Sequence, residues 1–174
     1  DRFVYQHREN ARWCGENSRW FTWDGSRWIE HLKGQVDLLA QETARSILSE
    51  AEENAGTNLG SNLANWSKTS GNAARLKAML EVSKPRLNEP LDRFDSDPLL
   101  LNCQNGTVDL CTGDLKPHRR SDMITMLLPV SYDPEAECPV FVQFLSQITD
   151  ANKELQRFIQ QAAGYSLTGR TDEQ

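Results

Sequence analysis

Three stretches carry residue types that could do chemistry. Residues 164–171 read GYSLTGRT, one residue away from the phosphate-cradling loop G-x-x-x-x-G-K-[ST]. Such a loop needs a strand entering it and a helix leaving it, so that backbone N–H groups converge on the phosphates. Here Gly164 follows a helical pattern and Arg170 stands where the lysine belongs, and the two are not interchangeable in so tight a cradle. A helix stop followed by a linker is the expected role. The second stretch, Asp95-Ser96-Asp97, has the spacing of carboxylate pairs that hold two divalent ions. Pro98 follows at once and no third carboxylate stands at a useful spacing, which predicts a polar turn instead. The third group is the cysteines, Cys14, Cys103, Cys111 and Cys138, which form no C-x-x-C pair and have no histidines clustered near them. That spacing argues against zinc and for a reduced, cytosolic chain. No G-x-S-x-G elbow occurs. No catalytic residue, metal ligand or cofactor-binding residue is therefore expected.

Binding chemistry has better candidates. Arg8, Arg12, Arg19 and Arg27 alternate with Trp13, Trp20, Trp23 and Trp28. An exposed indole beside an arginine makes a stacking platform for single-stranded bases, worth about 1–3 kcal/mol per base. Trp23 and Trp28 are expected in a core, whereas Trp20, on the face shared with Arg27, is the candidate for a free ring. A second basic stretch comprises Lys68, Arg75, Lys77, Lys84 and Arg86 against Glu81 alone. It reads either as a set of phosphate contacts or as an ordinary solvated helix face. The candidate nucleic-acid-binding residues are thus Arg19, Trp20, Arg27, Lys68, Arg75, Lys77, Lys84 and Arg86.

The net charge of −6 is uneven, because residues 1–90 balance and residues 91–174 supply the whole deficit. A globally basic nucleic-acid binder is excluded, but a local basic stripe is not. The 174 residues suffice for one compact domain. No apolar run approaches a membrane span and nothing resembles a signal peptide. A start at Asp1 rather than methionine suggests a piece of a longer chain.

The elements that must position these residues follow from periodicity. WFTWDGSRWI reads as a hairpin turning at Asp24-Gly25, which sets Phe21 opposite Trp28 and Trp20 opposite Ile29. One face then holds Phe21, Trp23 and Trp28, the other Trp20, Thr22, Arg27 and Ile29. Residues 35–54 have helical spacing, the Gly/Asn/Ser-rich residues 55–65 read as a loop, and a second helix carries Ala73, Leu76, Met79 and Leu80 before Pro85. Residues 99–118 read as a three-stranded meander turning at Asn105-Gly106 and Thr112-Gly113. Its faces are Leu101, Cys103, Val108, Leu110 and Leu115 against Asn102, Gln104, Thr107, Asp109, Cys111 and Lys116. A helix starting at Pro139 carries Phe141, Phe144, Leu145 and Ile148. A last one, capped by Asp150 and stopped by Gly164, carries Leu155, Phe158, Ile159 and Ala162. The fold class is α+β, with small antiparallel sheets and several amphipathic helices. Its regions are an aromatic hairpin (1–32), a helical region (33–90) and the meander with the C-terminal helices (91–174), expected to form one compact domain.

Residues 100–125, LLNCQNGTVDLCTGDLKPHRRSDMIT, resemble a family signature, LLN-x-x-NG-x-x-D-x-x-TG…H…D-x-x-T. The family is the domain immediately before the superfamily 3 helicase in phage, plasmid and poxvirus-type primase–helicases. WFTWDGSRW is similar to its W-x-x-WDG-x-x-W hairpin, and SYDPEAECPVFVQFL and GYSLTGRTDEQ to its closing segment. The resemblance implies a DNA-replication protein of a bacterium or phage-infected host cell. Its module joins a primase to a hexameric helicase as a collar or connector, helps subunits assemble and touches DNA. The implied partners are single-stranded DNA and other subunits of the same protein, with no membrane. The family's P-loop, Walker B acid and arginine finger fall after this region. ATP and Mg are thus expected only in the parent helicase domain, and this chain alone should neither hydrolyse ATP nor unwind DNA. Two other readings stay open: a stand-alone single-stranded nucleic-acid-binding module, and an NTPase using residues 164–171 as a degenerate P-loop.

Overall fold

The computed structural model describes residues 2–31 and 34–170, so the boundary expected between residues 32 and 33 lies outside the described residues. The chain is α+β and divides into two units, Asp1–Phe94 and Asp95–Gln174. Among the described residues no helix is long and apolar enough to cross a membrane.

The first unit opens with α1 (Arg2–His7), where the sequence suggested only strand. Six residues are too few for a helical period to show, and the helix is held by packing, with Phe3 buried in the core. Strands β1 (Ala11–Cys14), β2 (Arg19–Trp23) and β3 (Trp28–His31) follow as an antiparallel sheet in chain order. The hairpin turns at Gly25-Ser26, one residue later than expected. Gly25 takes a φ of 109°, open to glycine at little cost. The Asp24 carboxylate accepts from the Ser26 and Arg27 backbone N–H groups at 2.7 and 2.8 Å. The register therefore moves by two, pairing Trp23 with Trp28 and Trp20 with His31. A shift of two preserves side-chain parity, so Phe21, Trp23 and Trp28 do share one face and Trp20, Thr22 and Ile29 the other. Arg27 falls into the turn.

Helix α2 (Gln35–Glu53) matches its period. The stretch expected as a loop, residues 55–65, instead holds the start of α3 (Asn58–Ser70). Thr57 caps it, its hydroxyl accepting from Gly60 N–H at 3.0 Å. Gly60 sits so close to the end of α2 that a Cβ there would overlap the Asn54 carbonyl. The glycine reflects helix packing here, not chain flexibility. Helix α4 (Ala73–Ser83) leads into two short 3-10 turns, Lys84–Arg86 and Leu91–Arg93.

Both faces of the first sheet are covered. On one, Trp20 joins Phe3, Ala11, Val36, Ala40, Leu80 and Leu87 in the main core. On the other, Trp28 is wholly buried with the Arg12 guanidinium 4.9 Å from its ring centre, and Phe21 stacks on Phe94 at 4.3 Å.

In the second unit β4 (Leu100–Cys103), β5 (Gly106–Asp109) and β6 (Leu115–Lys116) form the meander. Its first turn is Gln104-Asn105, one residue earlier than expected, so Cys103 pairs with Gly106 and Leu101 with Val108. Parity again survives. Gly106 has a φ of 153°, and a Cβ there would lie 2.5 Å from the Lys116 carbonyl oxygen. Helices α5 (Pro139–Ile148) and α6 (Lys153–Ser166) follow. Asn152, not Asp150, caps α6, accepting from Glu154 and Leu155 N–H. Gly164 does not stop the helix, which runs on to Ser166, since a lone glycine costs a helix only about 1 kcal/mol.

Candidate nucleic-acid interface

The sheet contributes less than its composition promised. Trp20 is 9% exposed, which corrects the expectation of a free ring. Its indole packs edge-on against Trp13 at 5.3 Å and Phe3 at 6.2 Å, because its strand face is the one that meets the helices. No base can stack there. Arg19 pairs with Glu30 at 3.0 Å, and Arg27 pairs with Asp24 at 3.6 Å inside the turn. Lys84 donates to both oxygens of Glu81 at 2.7 and 2.9 Å and lies 4.1 Å from the Trp13 ring centre. These four belong to the scaffold of the unit. Arg86 stands exposed at the end of the following 3-10 turn.

The other three candidates lie on the helical side, Lys68 on α3 and Arg75 and Lys77 on α4. Lys68 occupies the last turn of α3, where a cation suits the helix dipole. Asn72 then caps α4, accepting from Ala74 N–H at 2.9 Å, and presents Arg75 and Lys77 in its first two turns. Lys68, Arg75 and Lys77 are exposed and make no ion pair among the described residues. A groove of about 420 Å³ opens between α2 and α4, with Ser67 and Leu76, sequence neighbours of these cations, in its lining. Ala44, Leu48, Ala73 and Leu76 give it apolar walls, Arg45 adds a cation, and no carboxylate lines it. Nothing in the sequence pointed to Arg45 at this groove, and Leu48, apolar and on a helix, is 46% exposed in its wall rather than buried. Apolar walls offer contact to base faces, and flanking cations offer contact to phosphates.

The remaining motif residues are spent on structure. Asp95 accepts from the backbone N–H of Thr125 at 2.7 Å and from the Thr125 hydroxyl, and Asp97 accepts from Leu99 N–H at 3.0 Å. Asp97 braces its own turn, as expected of a polar turn, whereas Asp95 ties this segment to Thr125, far along the chain. Asn102, buried on the polar face of the meander, donates to the Met126 carbonyl at 3.0 Å. Its own oxygen accepts from the Thr107 hydroxyl at 3.1 Å and from His118 Nδ1 at 2.9 Å. Asn105 clamps the backbone of Tyr132 through both its amide atoms, at 2.8 and 2.9 Å. Asp109 is held below the usual carboxylate pKa by Lys116, 2.8 Å away, and by the Cys111 N–H. The P-loop-like stretch has Gly164 to Ser166 wound into α6, and Gly169 N–H bonds to the Pro98 carbonyl at 2.8 Å. Thr171 lies outside the described residues. A helix runs into the start of this stretch, where a phosphate-binding loop would need a strand to enter.

The family model described as D5 N terminal like matches residues 1–150. No curated protein matches the chain.

Proposed function

The chain belongs to the D5 N-terminal-like family, the domain that precedes the superfamily 3 helicase in primase–helicases, and from that membership we propose that it is a non-catalytic connector in DNA replication. In this reading it assembles with further subunits of the same protein and contacts single-stranded DNA along the α2–α4 groove. ATP and Mg serve the helicase, not this module. The observation that supports the DNA contact is the groove, lined by Arg45 and no carboxylate, with Lys68, Arg75 and Lys77 exposed on the helices that border it. Assembly is favoured by the apolar surface that α5 and α6 leave exposed, including Phe141, Phe144 and Phe158. Helix α5 carries no charged side chain, so two copies can meet there without like-charge repulsion.

Titration of a labelled oligothymidylate at several salt concentrations tests the DNA contact. Replacing Lys68, Arg75 and Lys77 together by glutamine is expected to weaken binding and to flatten the salt dependence by about 2 in log–log slope, near 0.7 per lost phosphate contact on a single strand. All three are exposed, so the fold should be unaffected. Unchanged affinity and slope would remove the groove from the account.

A further inference from the structure

Neither α5 nor α6 buries a residue, yet their apolar side chains keep one phase across both helices. Phe141, Ile148, Leu155 and Ala162 follow one another at intervals of seven. Phe144, Ala151, Phe158 and Tyr165 do the same, three residues later in each case. That is the a and d pattern of a coiled coil, sustained over four heptads. The six large side chains of this seam are each at least 40% exposed. Two helices joined by an ordinary loop have no reason to share a phase.

The break between them is short and strained. Asp150 and Ala151 have φ of 48° and 57°, a left-handed conformation that is costly for residues with a Cβ. Residues 140–163 contain neither glycine nor proline, so the sequence admits a helix straight through the break. In the bend the Asn152 side chain accepts from Glu154 and Leu155 N–H, and Gln156 Nε2 donates to the Thr149 hydroxyl at 3.0 Å. In a continuous helix the same two N–H groups would bond to the Asp150 and Ala151 carbonyls. The cap is then replaced by helical bonds, and the left-handed strain is relieved.

We propose that α5 and α6 straighten into one helix, residues 139–166, which pairs antiparallel with the same helix of a second copy. The proposal rests on the assembly reading above and states how assembly takes place. The occupant is another copy because the seam complements itself when reversed. About a midpoint at Lys153, Phe144 meets Ala162, Ala151 meets Leu155 and Ile148 meets Phe158, with Phe141 and Tyr165 closing the ends. Large faces small in the first two layers, whereas parallel pairing would set Phe144 on Phe144 and Ala151 on Ala151. A two-fold contact of this kind closes on itself. Among the e and g positions that flank the seam, Glu154 alone is charged. It faces its own copy at a solvent-exposed edge, where salt screens the repulsion.

Two measurements on the whole chain test this. The variant Asp150→Gly/Ala151→Gly forms the bend without strain and disfavours a continuous helix. Both positions are exposed, so the fold is retained. In sedimentation equilibrium this variant is expected to associate at least about tenfold more weakly than the parent. The second measurement is a pulsed electron-spin distance between copies labelled at Gln143→Cys, with the exposed Cys111 and Cys138 changed to serine. Antiparallel straight helices set the two labels roughly 30–35 Å apart, about twenty residues of rise, whereas parallel helices bring them within about 20 Å. If the glycine variant associates like the parent, straightening is overturned while assembly stands. Labels within about 20 Å overturn the antiparallel pairing. A parent chain that stays at the mass of one copy removes the assembly reading, and the proposal with it.

Discussion

Replacing Asn102 by leucine is expected to destabilise the second unit by about 2–4 kcal/mol, a large part of the 5–15 kcal/mol that separates typical domains from unfolding. Asn102 is 4% exposed and its partner Thr107 is 3% exposed. Leucine would remove the acceptor of the Thr107 hydroxyl and of His118 Nδ1, and the donor to the Met126 carbonyl. The heaviest loss falls on Thr107, which has no water to turn to, because leaving a buried polar group unpaired costs about 1–3 kcal/mol. Leucine does not relieve the problem by being apolar, since its three former partners stay polar. Thermal melting checks this, and a variant that melts with the parent would mean that the network contributes nothing.

Trp28→Ala should cost the first unit about 3–5 kcal/mol. The indole is wholly buried, contacts Trp23 edge-on at 5.8 Å and supports the Arg12 guanidinium. Its removal leaves a cavity between the sheet and what covers it, and deprives a half-buried cation of its aromatic partner. Trp28→Phe keeps a ring under Arg12 and should lose roughly half as much. Denaturant unfolding of both variants separates volume from ring chemistry. Equal midpoints for Trp28→Ala and the parent would contradict the packing described.

Much of this architecture was legible in the residues, and the failures have physical causes. Which side chains share a strand face was readable, since period-two parity survived register shifts of two at both hairpins. The registers were not. Asp24-Gly25 and Asn105-Gly106 look like turn centres, yet Asp24 caps the turn by its side chain and Gly106 opens a strand. Strand parity separates Trp20 from Trp28 but does not say which face meets helices, and here both faces are covered. Helix α3 was hidden by its glycine and asparagines, although Thr57 three residues before Gly60 was a usable capping signal. Of the candidate site, Lys68, Arg75 and Lys77 were visible as a local run of charge.

The central claim is that the chain is an assembling connector, and sedimentation equilibrium over a wide range of protein concentration tests it most directly. The account predicts an apparent mass that rises with concentration above the 19.8 kDa of a single chain. Replacing Phe141, Phe144 and Phe158 by serine, all on exposed helix surface, should suppress that rise. A mass of 19.8 kDa at every concentration would contradict it.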